Sequence, residues 1–239
     1  MSQSDAVRIV KSDAWDILHK LLGNHVDPNQ SGLSSLVGKR LDDEEQVICQ
    51  AVSAHLQVLR SNRCGDKALV SLVAKFPDLL QFLRNHCHQD NAKPLGTFGA
   101  VVPFGSYPYL QQAAWIARDT ATSVQIPEQT PVSAGEGRVP YWIAGVKSHE
   151  IQSFTILENF IKTAVPREKK PLSIAATMAM ARSFPELLER PLYVADGNYI
   201  IHSTIDRLQI AKVHPQFRIP APSVMLTFEA RFPESPMVS

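Results

Sequence analysis

The stretch Leu172-Ser-Ile-Ala-Ala-Thr-Met-Ala-Met-Ala181 restricts the fold more than any other part of the chain. Its only polar side chains are the hydroxyls of Ser173 and Thr177, which can bond to a helix's own carbonyls. A helix built from it is apolar on every side, and such a helix is buried all round. The run is too short to cross a bilayer, which takes about twenty apolar residues, and Lys169, Lys170 and Arg182 bracket it. The stretch therefore predicts the central helix of a globular core. Its alanines let neighbours approach closely, and its methionines fill irregular gaps.

A chain of 239 residues with 44% hydrophobic and 20% charged residues has enough apolar material for one large or two small cores. The formal net charge of +1 removes any whole-protein field that would drive binding to nucleic acid or membrane, so such binding must come from local patches. The polar, acidic opening Met1-Ser-Gln-Ser-Asp5 fits neither a secretory signal nor an Arg-rich transit peptide. Cys49, Cys64 and Cys87 fit no disulfide framework, so a reducing, cytoplasmic setting with no membrane contact is expected.

Helical periodicity runs through residues 5–23 and continues from Asp42, where Glu45 three residues on suggests a capping box, to about Arg60. It resumes over 66–86, with Pro77 predicting a kink or a fresh helix. Residues 93–109 mix Gly and Pro with Phe98, Phe104, Tyr107 and Tyr109, too many aromatics for a flexible linker, and read as an ordered crossover. A helix follows from Pro108 to about Thr120, then a polar loop over 121–138 and a strand within 139–146. Ser148 reads as the cap of an amphipathic helix carrying Ile151, Phe154, Leu157, Phe160 and Ile161, and residues 166–171 as a charged turn. Asp196-Gly197 between two apolar runs signals a β-hairpin, Thr204–Val213 reads as a last helix, and Val224–Phe228 as a final strand before a polar tail.

Chemistry-bearing motifs are sparse. His86-Cys87-His88 with Asp90 is the densest metal-capable group, but a metal site needs three or four converging ligands, and two histidines two apart on a helix diverge. There is no Gly-x-Ser-x-Gly elbow, phosphate-binding glycine loop or His-Glu-x-x-His pair. The sequence thus assigns no catalytic residue, metal or cofactor. Local basic clusters are present: Lys39-Arg40, Arg60 with Arg63 and Lys67, and Arg167 with Lys169 and Lys170. Facing one cleft, these would grip RNA phosphates, while Phe104, Tyr107 and Tyr109 offer stacking or subunit-contact surfaces.

The sequence therefore predicts an α+β, mainly α-helical protein in three parts. A helical N-terminal lobe spans 1–92, the crossover 93–109, and a mixed lobe with the central buried helix and the hairpin spans 110–239. The expected function is that of a non-enzymatic binding or assembly protein of nucleocapsid-like organisation, with RNA and a second copy of the chain as candidate partners. The alternatives are a small cytosolic enzyme with a site gathered from dispersed groups such as His149 and His202, and a protein–protein adaptor.

Overall fold

The computed structural model describes residue 19 and residues 41–61, 65–87, 98–102, 113–116, 123–125, 139–152, 170–195, 198–203, 207–214, 218 and 221–232. Among them the helices are α1 (Asp43–Ser61), α2 (Asp66–Ala74), α3 (Phe76–Cys87) and α4 (Ile174–Ser183), with a 3-10 helix at Pro185–Glu189. The strands are β1 (Gly99–Val101), β2 (Ser123–Gln125), β3 (Tyr141–Ala144), β4 (Lys147–Ile151), β5 (Lys170–Pro171), β6 (Leu192–Val194), β7 (Tyr199–Ser203), β8 (Arg207–Lys212), β9 (Ser223–Phe228) and β10 (Ala230–Phe232).

Local chemistry starts α1. The Glu45 amide donates to Asp42 Oδ1 at 2.8 Å and the Asp42 amide to Glu45 Oε2 at 3.2 Å, a reciprocal capping box. Glu45 is buried, and its charge is met by Arg84 of α3, whose Nη1 donates to Oε1 at 3.0 Å. The buried face of α1, with Ile48, Cys49, Val52, Leu56 and Leu59, packs on Leu69, Leu72 and Val73 of α2 and on Phe76, Leu79, Leu80 and Leu83 of α3. Pro77 lies in the first turn of α3, where its missing N–H costs nothing.

This helical layer does not close on itself. Its floor is a three-stranded antiparallel sheet in the order β1-β3-β10. Successive strand residues point to opposite faces, so Trp142 and Ala144 of β3 and Ala100 of β1 join the core under α1–α3. Tyr141, Ile143 and Val101 join a second core built around α4. One thin sheet thus partitions two apolar cores. On its far side α4 is buried from Ile174 to Arg182. Ser173 caps α4 by accepting from the Ala176 amide at 3.2 Å, and the Thr177 hydroxyl donates to Ser173 O at 2.8 Å. Gly99 lets α4 rest on β1: a Cβ there would stand 2.7 Å from Met180 Sδ.

The second sheet has seven strands, in the order β2-β8-β7-β6-β9-β4 with β5 added to β9. The two sheets share one antiparallel ribbon. Lys147 of β4 faces Thr227 of β9, and in the same register Ala144 of β3 faces Ala230 of β10. Gly145 and Glu229 meet at the corner between them, where the Glu229 amide donates to Ala144 O at 3.1 Å. Gly145 has a φ of +68°, and any Cβ on it would come within 2.8 Å of Glu229 Cβ, so the bend needs glycine on both counts.

The expectation of a mainly α-helical chain is overturned by these two sheets, whose ten strands stand beside the helices among the described residues. Lys147–Ile151, read as the start of a Ser148-capped helix, is β4 in register with β9. Within Thr204–Val213, read as a helix, Arg207–Lys212 is β8, with Leu208 and Ile210 inward and Arg207 and Gln209 outward. The segments read as loop, charged turn and polar tail contain β2, β5 and β10. In windows this short, periods of 2.0 and 3.6 residues are nearly indistinguishable, and a neighbouring strand decides between them.

Candidate functional site

Of the basic residues singled out by sequence, Lys39, Arg40, Arg63, Arg167 and Lys169 lie outside the described residues, as do Phe104, Tyr107 and Tyr109. Arg60, Lys67 and Lys170 are described and exposed. Arg60 lies in the last turn of α1 and Lys67 in the first turn of α2. Lys170 belongs to β5, opposite Phe228 of the large sheet.

Among the described residues no group of three or more His, Cys, Asp and Glu side chains is placed to hold a metal ion. His86 stacks on Phe82, with ring centroids 3.8 Å apart, while His88 and Asp90 lie outside the described residues. Cys49 is buried on the inner face of α1 and takes part in no disulfide. His149 Nε2 lies 2.8 Å from the Thr227 hydroxyl, across the β4–β9 pair. Tyr193, its phenol pushed well above the ordinary range by burial, donates to Asn198 Oδ1 at 2.8 Å and braces the β6–β7 hairpin.

One polar contact has the composition of a nucleophile–base pair. His55 Nδ1 of α1 lies 3.1 Å from Ser183 Oγ at the end of α4. The hydrogen bonds around it assign every proton. The Ala100 amide can only donate, and it donates to His55 Nε2 at 3.1 Å, so Nε2 carries the lone pair. Desolvation of the ring, and then the nearby Arg182 charge, lower the His55 pKa from 6.5 to about 3, so the ring is neutral and its single proton sits on Nδ1. That proton points at Ser183 Oγ, and the Ser183 hydroxyl donates to Ala179 O at 3.0 Å. A nitrogen that already carries a proton cannot take one from serine. The arrangement is a polar tie joining α1, β1 and α4 across the partition sheet, flanked by Phe98 and Trp142. Arg182 lies beside it with its guanidinium carbon 4.9 Å from the Trp115 ring centroid, a cation–π contact. No sequence motif announces this tie, because its two side chains are 128 residues apart.

The tie sets a pH dependence. The folded-state pKa lies below the unfolded value, so the unfolded chain binds the extra proton first. Stability is therefore expected to be level above about pH 7 and to fall as pH drops from about 6.5 toward 3, with a slope of at most about 1.4 kcal/mol per pH unit from this group. Chemical unfolding of wild type and His55→Gln across this range checks it. The glutamine variant should lose this component of the slope, and an identical slope in both proteins removes His55 as its source.

The outward face of α1 carries the other candidate. Val47 is 47% and Val58 42% exposed, and they are two of the three large exposed hydrophobics among the described residues. They lie eleven residues apart, which is three helical turns, and so share one stripe. Exposed Ala54 and half-buried Ala51, which also touches the first core, fall between them on the same stripe. Compared with protein-family models, with curated proteins and with solved structures, the chain matches none of them.

Proposed function

We propose that this chain is a non-enzymatic assembly protein that works by self-association. The observation that supports this most is the row Val47, Ala51, Ala54 and Val58 on the outward face of α1. Singly exposed valines are ordinary. A row of four apolar positions of which three are exposed and one, Ala51, reaches the edge of the first core is less so, and this one has a further property. Its spacing of four, three and four residues, and its residue order, read the same in both directions. A two-fold axis through the middle of the row would set Val47 against Val58 of the copy and Ala51 against its Ala54, valine on valine and alanine on alanine. The alanines at its centre would let two helices approach closely. RNA as a cargo rests on the basic clusters, of which Arg60, Lys67 and Lys170 are exposed.

Sedimentation of the purified full chain over a wide concentration range, with its absorbance ratio read before and after nuclease, tests the reading. The weight-average mass is expected to rise with concentration. Val47→Ser with Val58→Ser should shift that rise to concentrations at least roughly tenfold higher while leaving the melting temperature unchanged, because both side chains are solvent-facing. A mass fixed at the monomer value overturns the proposal. Co-purifying nucleic acid removed by nuclease identifies the cargo. A small molecule bound near His149 or His202 would favour the enzyme alternative.

A further inference from the structure

The row on α1 extends past its valines. Exposed Glu44 lies three residues before Val47, and exposed Ser61 three residues after Val58. Glu44, Val47, Ala51, Ala54, Val58 and Ser61 therefore follow one another in alternating steps of three and four, the seam spacing of paired helices. The two flanks of this seam differ. One carries the exposed amides of Gln50 and Gln57. The other carries buried Ile48 and His55, whose ring nitrogens are both engaged, one by the Ala100 amide and one by Ser183. Valine meets valine and alanine meets alanine whether two such helices run the same way or opposite ways, so the apolar row alone sets no direction. Its ends and flanks do.

We infer that α1 pairs antiparallel with α1 of a second copy, Glu44 of each chain meeting Ser61 of the other and Gln50 meeting Gln57. This pairing rests on the self-association proposed above and fixes its direction. In a parallel pair Glu44 would meet Glu44 of the copy, two carboxylates pressed together where water is being expelled. A two-fold axis along the helices also brings unlike flanks together. Gln50 and Gln57 would then lose water against the side of Ile48 and His55, where both imidazole nitrogens are already taken. Antiparallel pairing removes both costs. Glu44 reaches the last turn of the copy, which carries Arg60, and Ser61, whose hydroxyl donates to Val58 O at 2.8 Å in the single chain, can turn that proton to the carboxylate. The axis now lies across the helices, so like flanks meet. Each glutamine amide both donates and accepts, so Gln50 and Gln57 of the copy satisfy one another.

Disulfide trapping reads the direction. Val47→Cys and Val58→Cys are made separately in a full chain carrying Cys64→Ser and Cys87→Ser, with Cys49 left in the core. In the antiparallel pair Val47 faces Val58 of the copy. Two Val47 positions then lie about 16 Å apart along the axis, eleven residues at about 1.5 Å each, whereas a disulfide needs Cα atoms within about 7 Å. Under mild oxidation an equimolar mixture is expected to form the mixed disulfide at least about fivefold faster than either variant forms its own. Glu44→Gln should move the association midpoint of the otherwise unaltered chain by less than about twofold, where a parallel pair would tighten several-fold on losing its facing carboxylates. Val47→Cys cross-linking to itself faster than to Val58→Cys overturns the antiparallel pair. Wild type whose mass rises with concentration while no variant or mixture cross-links also overturns it, and leaves self-association to another surface. A mass fixed at the monomer value overturns the pairing together with the self-association on which it rests.

Discussion

Met178→Asp is expected to leave the protein in the insoluble fraction. Met178 is wholly buried at the centre of α4, surrounded by the second core. Placing a carboxylate in that setting costs several kcal/mol whether it stays charged or is forced to keep its proton. A typical domain has only about 5–15 kcal/mol in hand. Met178→Leu, which keeps volume and polarity, should stay soluble and lose less than about 1.5 kcal/mol. Fractionation of the two variants after expression, followed by thermal unfolding of whatever is soluble, makes the comparison. A soluble Asp variant with an unchanged melting temperature would show that α4 is not the enclosed helix described above.

Trp142→Ala is expected to cost about 3–5 kcal/mol, the range for removing a buried tryptophan. Trp142 is fully buried on the partition sheet and packs edge-on against Phe98 with centroids 5.9 Å apart. Its indole Nε1 donates to Leu72 O at 2.7 Å and so fastens the sheet to the end of α2. That carbonyl also accepts from the Lys75 amide at 3.1 Å, so losing the indole does not leave it unpaired. The hydrogen bond is then the smaller part of the effect and the cavity the larger. Trp142→Phe, which keeps most of the ring and drops the N–H, should therefore cost less than half as much as Trp142→Ala. Urea unfolding midpoints of the three proteins separate the two contributions, and equal losses in both variants would assign the effect to the hydrogen bond instead.

Much of this architecture is written in local chemistry. The apolar run from Leu172 to Ala181 specifies burial on every side in any fold that contains it, and α4 is buried. Asp42 and Glu45 specify the start of α1 through atoms three residues apart, and both capping bonds form. Pro77 specifies a fresh helix because its ring suits only a first turn, and α3 begins at Phe76. Each of these signals is complete within one or two turns of chain, so it survives whatever the rest of the molecule does.

The sequence by itself thus determined the helical stretch over 66–86 with its break at Pro77, the buried helix and a strand over 224–228. The tertiary structure alone decided the strands at 147–151 and 207–212, the bend at Gly145 and Glu229, and the His55 contacts. Those two strands carry patterns that a helix would also satisfy, and β9 and β7 supply the missing hydrogen bonds from far along the chain. His55 and Ser183 become partners only because one thin sheet brings α1 and α4 to its two faces. The reason is the range of the forces involved. Capping, proline geometry and helical burial act between near neighbours in sequence, whereas strand pairing and buried polar ties join residues that only the folded chain makes adjacent.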